Sequence, residues 1–180
     1  IDLRSDTLTM PTPQMLQTIL TAPLGDDGRA DRYGRGEDPS VNRLEDEAAE
    51  LFGKEAAVFF PSGTLANTAA VLSWAAPGQQ VLMEPLLHIV RSEEAVFSPR
   101  FGQLLPLAYQ VTADGKPSSQ HIKELAGLNH PALLLLENTH NFRGGLCLNA
   151  DEIETITDAA HQHGVPVHLD GARIFNAAAF

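Results

Sequence analysis

The 180 residues predict an α/β fold, a mostly parallel sheet flanked by helices on both faces. Three observations predict it. Short apolar runs alternate with segments of helical period, and alternation of that kind is the mark of βα units. The runs are apolar throughout, as strands buried on both faces must be. Gly, Pro and Asn fall between them as stops and caps.

The loosest stretch, 24–39, is dense in Gly and charge and reads as a long surface loop, so 1–39 is expected to be an N-terminal arm and loop, and 40–180 the α/β domain. A helix is expected over 40–52, with Leu44, Ala48, Leu51 and Phe52 on one face and Gly53 as its stop. The apolar run 56–60, cut by Pro61, reads as a buried strand, and 64–76 as an apolar helix ended by Pro77-Gly78. Short strands follow over 81–83 and, more weakly, 104–107. A turn region spans 112–119, around Asp114-Gly115 and Pro117. The clearest strand is 132–136. Asn149 then caps a helix that carries Ile153 and Ile156 on one face and ends at Gly164. The strand 165–169 leads through Asp170-Gly171-Ala172-Arg173 into a last helix.

Composition removes several function classes. Twelve Lys+Arg stand against 23 Asp+Glu, a net charge of −11, which argues against nucleic acid or an anionic membrane as a general partner. Any phosphate site must be local. Cys147 is alone, which rules out a disulfide framework and a Cys metal cage. No run approaches the ~18 apolar residues of a membrane span. The chain opens on Ile1-Asp2-Leu3-Arg4 without a basic-then-apolar leader pattern, so a cytoplasmic, reducing compartment is expected.

In parallel sheets ligands bind beyond the carboxyl ends of the strands, so chemistry is sought there. Pro61-Ser62-Gly63-Thr64 joins an apolar run to a helix, and the helix end offers N–H groups and a positive dipole to an anion. Taken alone, that segment is better explained as an ordinary N-cap. It is not a Walker A loop, because no Gly-Lys-Ser/Thr follows. Asp170 ends a strand and needs a cation or donor partner: a protonated ring nitrogen, a metal, or Arg173 in a capping pair. Glu137-Asn138-Thr139-His140-Asn141 switches from apolar to polar at a strand end, as a site or as a polar turn. His88 reads either as a core histidine or as a ring that stacks on a flat cofactor. His168 and Asp170 share a strand face, but two ligands fall short of a metal site, and none is expected.

Six segments occur together in order: Asp2-Leu3-Arg4-Ser5-Asp6-Thr7; Gly25-Asp26-Asp27; Tyr33-Gly34 with Gly36-Glu37-Asp38-Pro39; Pro61-Ser62-Gly63-Thr64; Leu136 through Asn141; and His168 through Arg173. Across the whole length the chain resembles the low-specificity L-threonine aldolases, in the aromatic-amino-acid β-eliminating lyase group of fold-type I pyridoxal 5'-phosphate (PLP) enzymes. The resemblance implies the large PLP-binding domain in incomplete form, without the C-terminal small domain. It implies that Ser62, Gly63 and Thr64 cradle the cofactor phosphate, that Asp170 holds the pyridine nitrogen, and that His88 stacks on the ring and serves in proton transfer. It sets Arg173 near the cofactor's phenolic oxygen and the substrate carboxylate, which Ser5 also binds, and Tyr33 in a loop that reaches a neighbouring subunit's site. The implied reaction is retro-aldol cleavage of a β-hydroxy-α-amino acid to glycine and an aldehyde, in a homo-oligomer, dimer or tetramer.

The sequence departs from that pattern. Residues 28–32 and Arg35 are extra in the loop, and Ser92 stands where relatives carry an aromatic. The Schiff-base lysine has no counterpart: Lys54, Lys116 and Lys123 lie in other contexts. The 180 residues alone are therefore expected to be inactive. A β-eliminating lyase, a phenylserine-type aldolase, or a fragment that only binds PLP or phosphate are the alternatives.

Overall fold

A computed structural model describes residues 6–30, 32 and 34–179. The chain forms two compact units, Ile1–Phe59 and Phe60–Phe180. The division falls after the first long amphipathic helix, where the sequence reading put it at 39/40.

In the first unit, helix α1 (Pro13–Thr21) starts on Thr12, whose side chain accepts from Met15 N–H at 3.2 Å. Helix α2 (Pro39–Phe52) starts on Asp38 and ends on Gly53, in the left-handed region at φ 59°. The Asp38 carboxylate accepts from the N–H groups of Ser40 at 2.8 Å and Val41 at 3.0 Å, and from Gly25 at 2.9 Å. These bonds, that of Val41 foremost, hold its pKa below the usual carboxylate range. The loop before α2 is thereby tied to the helix start. A Cβ on Gly25 would collide with the backbone of Glu37, so only glycine permits this approach.

The run 56–60, expected as a buried strand, forms no ladder. Val58 is 70% and Phe59 44% exposed. Apolar composition is not sufficient, because a strand exists only where a neighbour accepts its backbone groups.

The second unit carries the predicted α/β alternation. Helix α3 (Gly63–Trp74) leads to β1 (Gln80–Met83) and β2 (Leu105–Ala108). Then come α4 (Ser119–Asn129), β3 (Leu133–Glu137), α5 (Ala150–His161), β4 (Val167–Asp170) and α6 (Ile174–Ala179). The four strands are parallel in the order β2-β1-β3-β4. The chain winds outward from β1 to β2 and then in the opposite direction from β3 to β4. This makes β1/β3 the switch point at which a crevice opens.

Alternate residues serve opposite faces of the sheet. Leu82, Leu134 and Leu136 pack against Ile122 and Ala126 of α4 and Ile156, Ala159 and Ala160 of α5. Val81, Met83, Leu133 and Leu135 pack on the other side against Val71 and Ala75, at the end of α3, with Leu87, Ile89 and Val96. Both faces are thus covered, as the apolar strands require. Among the described residues no helix is long and apolar enough to cross a membrane.

Candidate functional site

Three acids stand at the C-terminal edge of the sheet: Glu84 directly after β1, Glu137 at the end of β3 and Asp170 at the end of β4. They are 4%, 7% and 9% exposed. Glu137 pairs in register with Asp170, and Asn138 N–H donates to Asp170 O at 3.0 Å. A buried carboxylate must be matched by donors. Each acid finds a different set.

The Asp170 carboxylate accepts from Ala172 N–H at 3.0 Å through Oδ1 and from the Asn67 side-chain N–H at 3.0 Å through Oδ2. The same Asn67 Nδ2 donates to Glu93 Oε1 at 3.1 Å, and Asn67 Oδ1 meets His168 Nε2 at 3.0 Å. One amide therefore joins α3, β4 and the segment after β1. Burial pushes the His168 pKa below its usual value, against the pull of Asp170 and Glu93. The other oxygen of Glu93, Oε2, is buried without a partner.

His88 lies on the segment that follows β1. Its backbone N–H donates to Glu137 Oε2 at 2.6 Å, and its Nδ1 is 3.0 Å from Glu93 Oε1. Its ring is near-parallel to that of Phe142, at 19° with centroids 6.4 Å apart. One ligand atom each from His88, Glu93 and Asp170 lies within 4.8 Å of the others. Hydrogen bonds through Asn67 and His88 Nδ1 account for that closeness.

The polar pentad after β3 works mainly as a tie. Glu137 holds the N–H of His88 and, at 2.7 Å, that of Asn141. The Asn138 side chain pairs with both backbone groups of Leu148, at 2.9 and 3.1 Å. His140 Nε2 and Arg143 Nη2 both reach Glu84, at 3.2 and 2.7 Å. Beside them Tyr109 donates its hydroxyl to Leu135 O at 3.1 Å, and burial raises its pKa further above the usual phenol range, aided by Glu84 and Glu137.

The residues expected to meet an anion stand at the head of α3. Ser62 caps it, its Oγ accepting from Leu65 N–H at 3.2 Å, and Gly63 and Thr64 are exposed. Nothing lies within 4 Å of where a Cβ on Gly63 would be. Asn67 is four residues along, so one turn of about 5.4 Å separates the open amide end from the amide that holds Asp170. Arg173 is half-buried, and its carbonyl accepts from Asn176 and Ala177 N–H of α6, at 3.0 and 3.1 Å. Ser5 and Tyr33 lie outside the described residues. Asp170, His168 and His88 are thus brought into one network with two residues the sequence reading did not single out, Asn67 and Glu93. Asn67 carried a signal, a carboxamide on an otherwise apolar helix one turn after the glycine. Glu93 carried none.

A family model described as beta-eliminating lyase matches residues 2–180. The chain belongs to the beta-eliminating lyase family. Relatives in this family include the low specificity L-threonine aldolase of Escherichia coli (strain K12), which is 38% identical over 188 residues, covering 98% of this chain and 52% of that protein. A solved structure from Listeria monocytogenes, provisionally described as an L-allo-threonine aldolase, aligns with a TM-score of 0.70 at 30% identity, over 93% of this chain and 45% of that one. The pyridoxal-5'-phosphate dependent protein YhfS of Escherichia coli shares the fold, with a TM-score of 0.60 at 22% identity over 88% of this chain and 39% of its own. The chain spans about half the length of the curated relatives it matches.

Proposed function

We propose that the protein carrying this chain is a PLP-dependent lyase that cleaves β-hydroxy-α-amino acids of the L-threonine and L-allo-threonine type to glycine and an aldehyde. The observation that carries this is the buried Asp170 carboxylate, held by Asn67, which stands one α3 turn from an open, capped helix N-terminus. The donor set fits PLP. Asp170 and Glu93 are two buried acids that share the one Asn67 NH2 group, with Glu93 Oε2 unpartnered, and a cationic ring N–H is what such a pair lacks. The exposed amides at Ser62, Gly63 and Thr64 suit a phosphate. When bound, PLP supplies an electron sink for the charge left at Cα.

The chain's own residues do the rest. Asp170 would hold a proton on the pyridine nitrogen of the bound cofactor. His88 would stack on its ring and move a proton at the substrate. Arg173 and Ser5 would bind the substrate carboxylate and orient the scissile bond, and Tyr33 would line the substrate side of a neighbouring subunit's site. This reading includes a cytoplasmic homo-oligomer, dimer or tetramer.

A second reading, binding of PLP without turnover, is favoured by where the lysines stand. Lys116 is engaged by Glu152 and Asp114 in the turn between β2 and α4, and Lys123 is exposed on α4. Product analysis separates the readings. The protein is incubated with PLP and, in turn, L-threonine, L-allo-threonine and phenylserine. Glycine plus aldehyde is expected. Ammonia plus a keto acid would assign a β-eliminating lyase, and faster cleavage of phenylserine than of either threonine would assign a phenylserine-type aldolase. Saturable PLP binding with no product would assign the binding fragment.

A further inference from the structure

We infer that Glu93 is a positioning residue for His88, fixing the imidazole with its proton on Nδ1 and its lone pair on Nε2. This rests on the reading of His88 as the ring beside the cofactor. The chain makes a special turn to bring the two together. Residues five apart on an α-helix point about 140° away from each other. Here Ile89–Glu93 forms a π-helical turn, in which Glu94 N–H donates to Ile89 O at 3.1 Å, and such turns are rare overall and, where they occur, frequent at functional sites. The wider turn carries Glu93 back beneath His88.

The contact is buried on the glutamate side and open on the histidine side, with side-chain exposures of 4% and 37%. Glu93 Oε1 is held from the other side by Asn67 Nδ2 at 3.1 Å, so it stays put between two donors. An ionised carboxylate only accepts, so the His88 nitrogen it meets must donate. Asn67 imposes the opposite tautomer on His168. Its Nδ2 is committed to the two acids, which leaves Oδ1 as an acceptor for a proton on His168 Nε2. One network therefore holds two histidines in opposite forms, and only His88 is left with a basic Nε2.

The test is a two-bond ¹⁵N–¹H spectrum of the ¹⁵N-histidine-labelled chain without cofactor, above the imidazole titration. His88 is expected as the Nδ1–H form and His168 as the Nε2–H form. Glu93→Ala is expected to move His88 to Nε2–H and leave His168 unchanged, which also reports that the fold persists. Glu93→Gln, which retains an acceptor, is expected to restore Nδ1–H. A wild-type His88 in the Nε2–H form overturns the inference, as does an unchanged His88 in Glu93→Ala. PLP binding gives a second readout. The fold-change in Kd caused by Glu93→Ala should fall to about one in a His88→Phe background, and an undiminished effect there overturns the inference too. Failure to bind PLP at all would sink the proposed function alone, since the spectrum is read without it.

Discussion

The Asn67 side chain donates to Asp170 Oδ2 at 3.0 Å, a bond that spans 103 residues of sequence and joins the first turns of α3 to the end of β4. Two further buried or half-buried groups, Glu93 and His168, depend on the same amide. Truncating it leaves His168 Nε2 without its partner and takes one of two donors from each acid, since Asp170 keeps Ala172 N–H and Glu93 keeps His88 Nδ1. Asn67→Ala is expected to destabilise the chain by about 2–3 kcal/mol, the scale of leaving buried polar groups without partners. Urea unfolding followed by circular dichroism measures this. A loss near zero would mean that water replaces the amide without cost.

Asp170 is expected to matter for chemistry more than for folding. Its replacement by Ala removes one charge from an edge that already carries two other buried acids. In the whole protein that carries this chain, Asp170→Ala should lower turnover on the order of 10³-fold, the scale of removing a preorganised charge contact, with a nearly native unfolding midpoint. Steady-state kinetics with L-allo-threonine, alongside a thermal melt, separates the two effects. Near-normal turnover would refute its role.

Stability should fall as pH drops below about 6.5. The lowered pKa of His168 means that the unfolded imidazole takes up a proton over an interval in which the folded one does not. The unfolded state then binds more protons, so the free energy of unfolding rises with pH through that interval. Its contribution is complete above the ordinary imidazole value and is lost progressively as pH falls towards the folded one. Melting curves between pH 5 and 8 on wild type and His168→Asn are the check. The variant should show a shallower slope, and equal slopes would contradict it.

The sheet's most buried strand sets the core. Leu135 is fully buried in the layer that faces α3. Leu135→Ala should cost about 2–5 kcal/mol, transfer and cavity terms together. Denaturant titration tests it, and a cost under ~1 kcal/mol would mean that this layer is loosely packed.

Much of this fold was legible because burial on both faces leaves a run such as 132–136 no polar residue. Gly53 and Asn149 mark helix ends by conformational and capping preferences that depend on few neighbours. The run 56–60 misled for the opposite reason, since a ladder partner is not encoded in the run itself. Helix α4 is poorly marked in the sequence because only Ile122, Ala126 and the half-buried Leu125 face the core, and Gly127 weakens the pattern. At the site, strand-end position made Asp170 and His88 candidates, while the roles expected of them came from the resemblance. Glu93 was not, because the π turn that carries it beneath His88 breaks the helical period by which side chains are assigned to a face.

The most direct test of PLP at this strand edge is a binding titration. PLP and pyridoxal, which lacks the phosphate, are titrated into wild type and Asp170→Ala by equilibrium dialysis. Wild type is expected to bind PLP saturably and pyridoxal at least tenfold more weakly, with PLP affinity also falling in Asp170→Ala, since a helix N-terminus and a carboxylate each hold one end of the molecule. No saturable PLP binding, or equal affinity in wild type and Asp170→Ala, would contradict it.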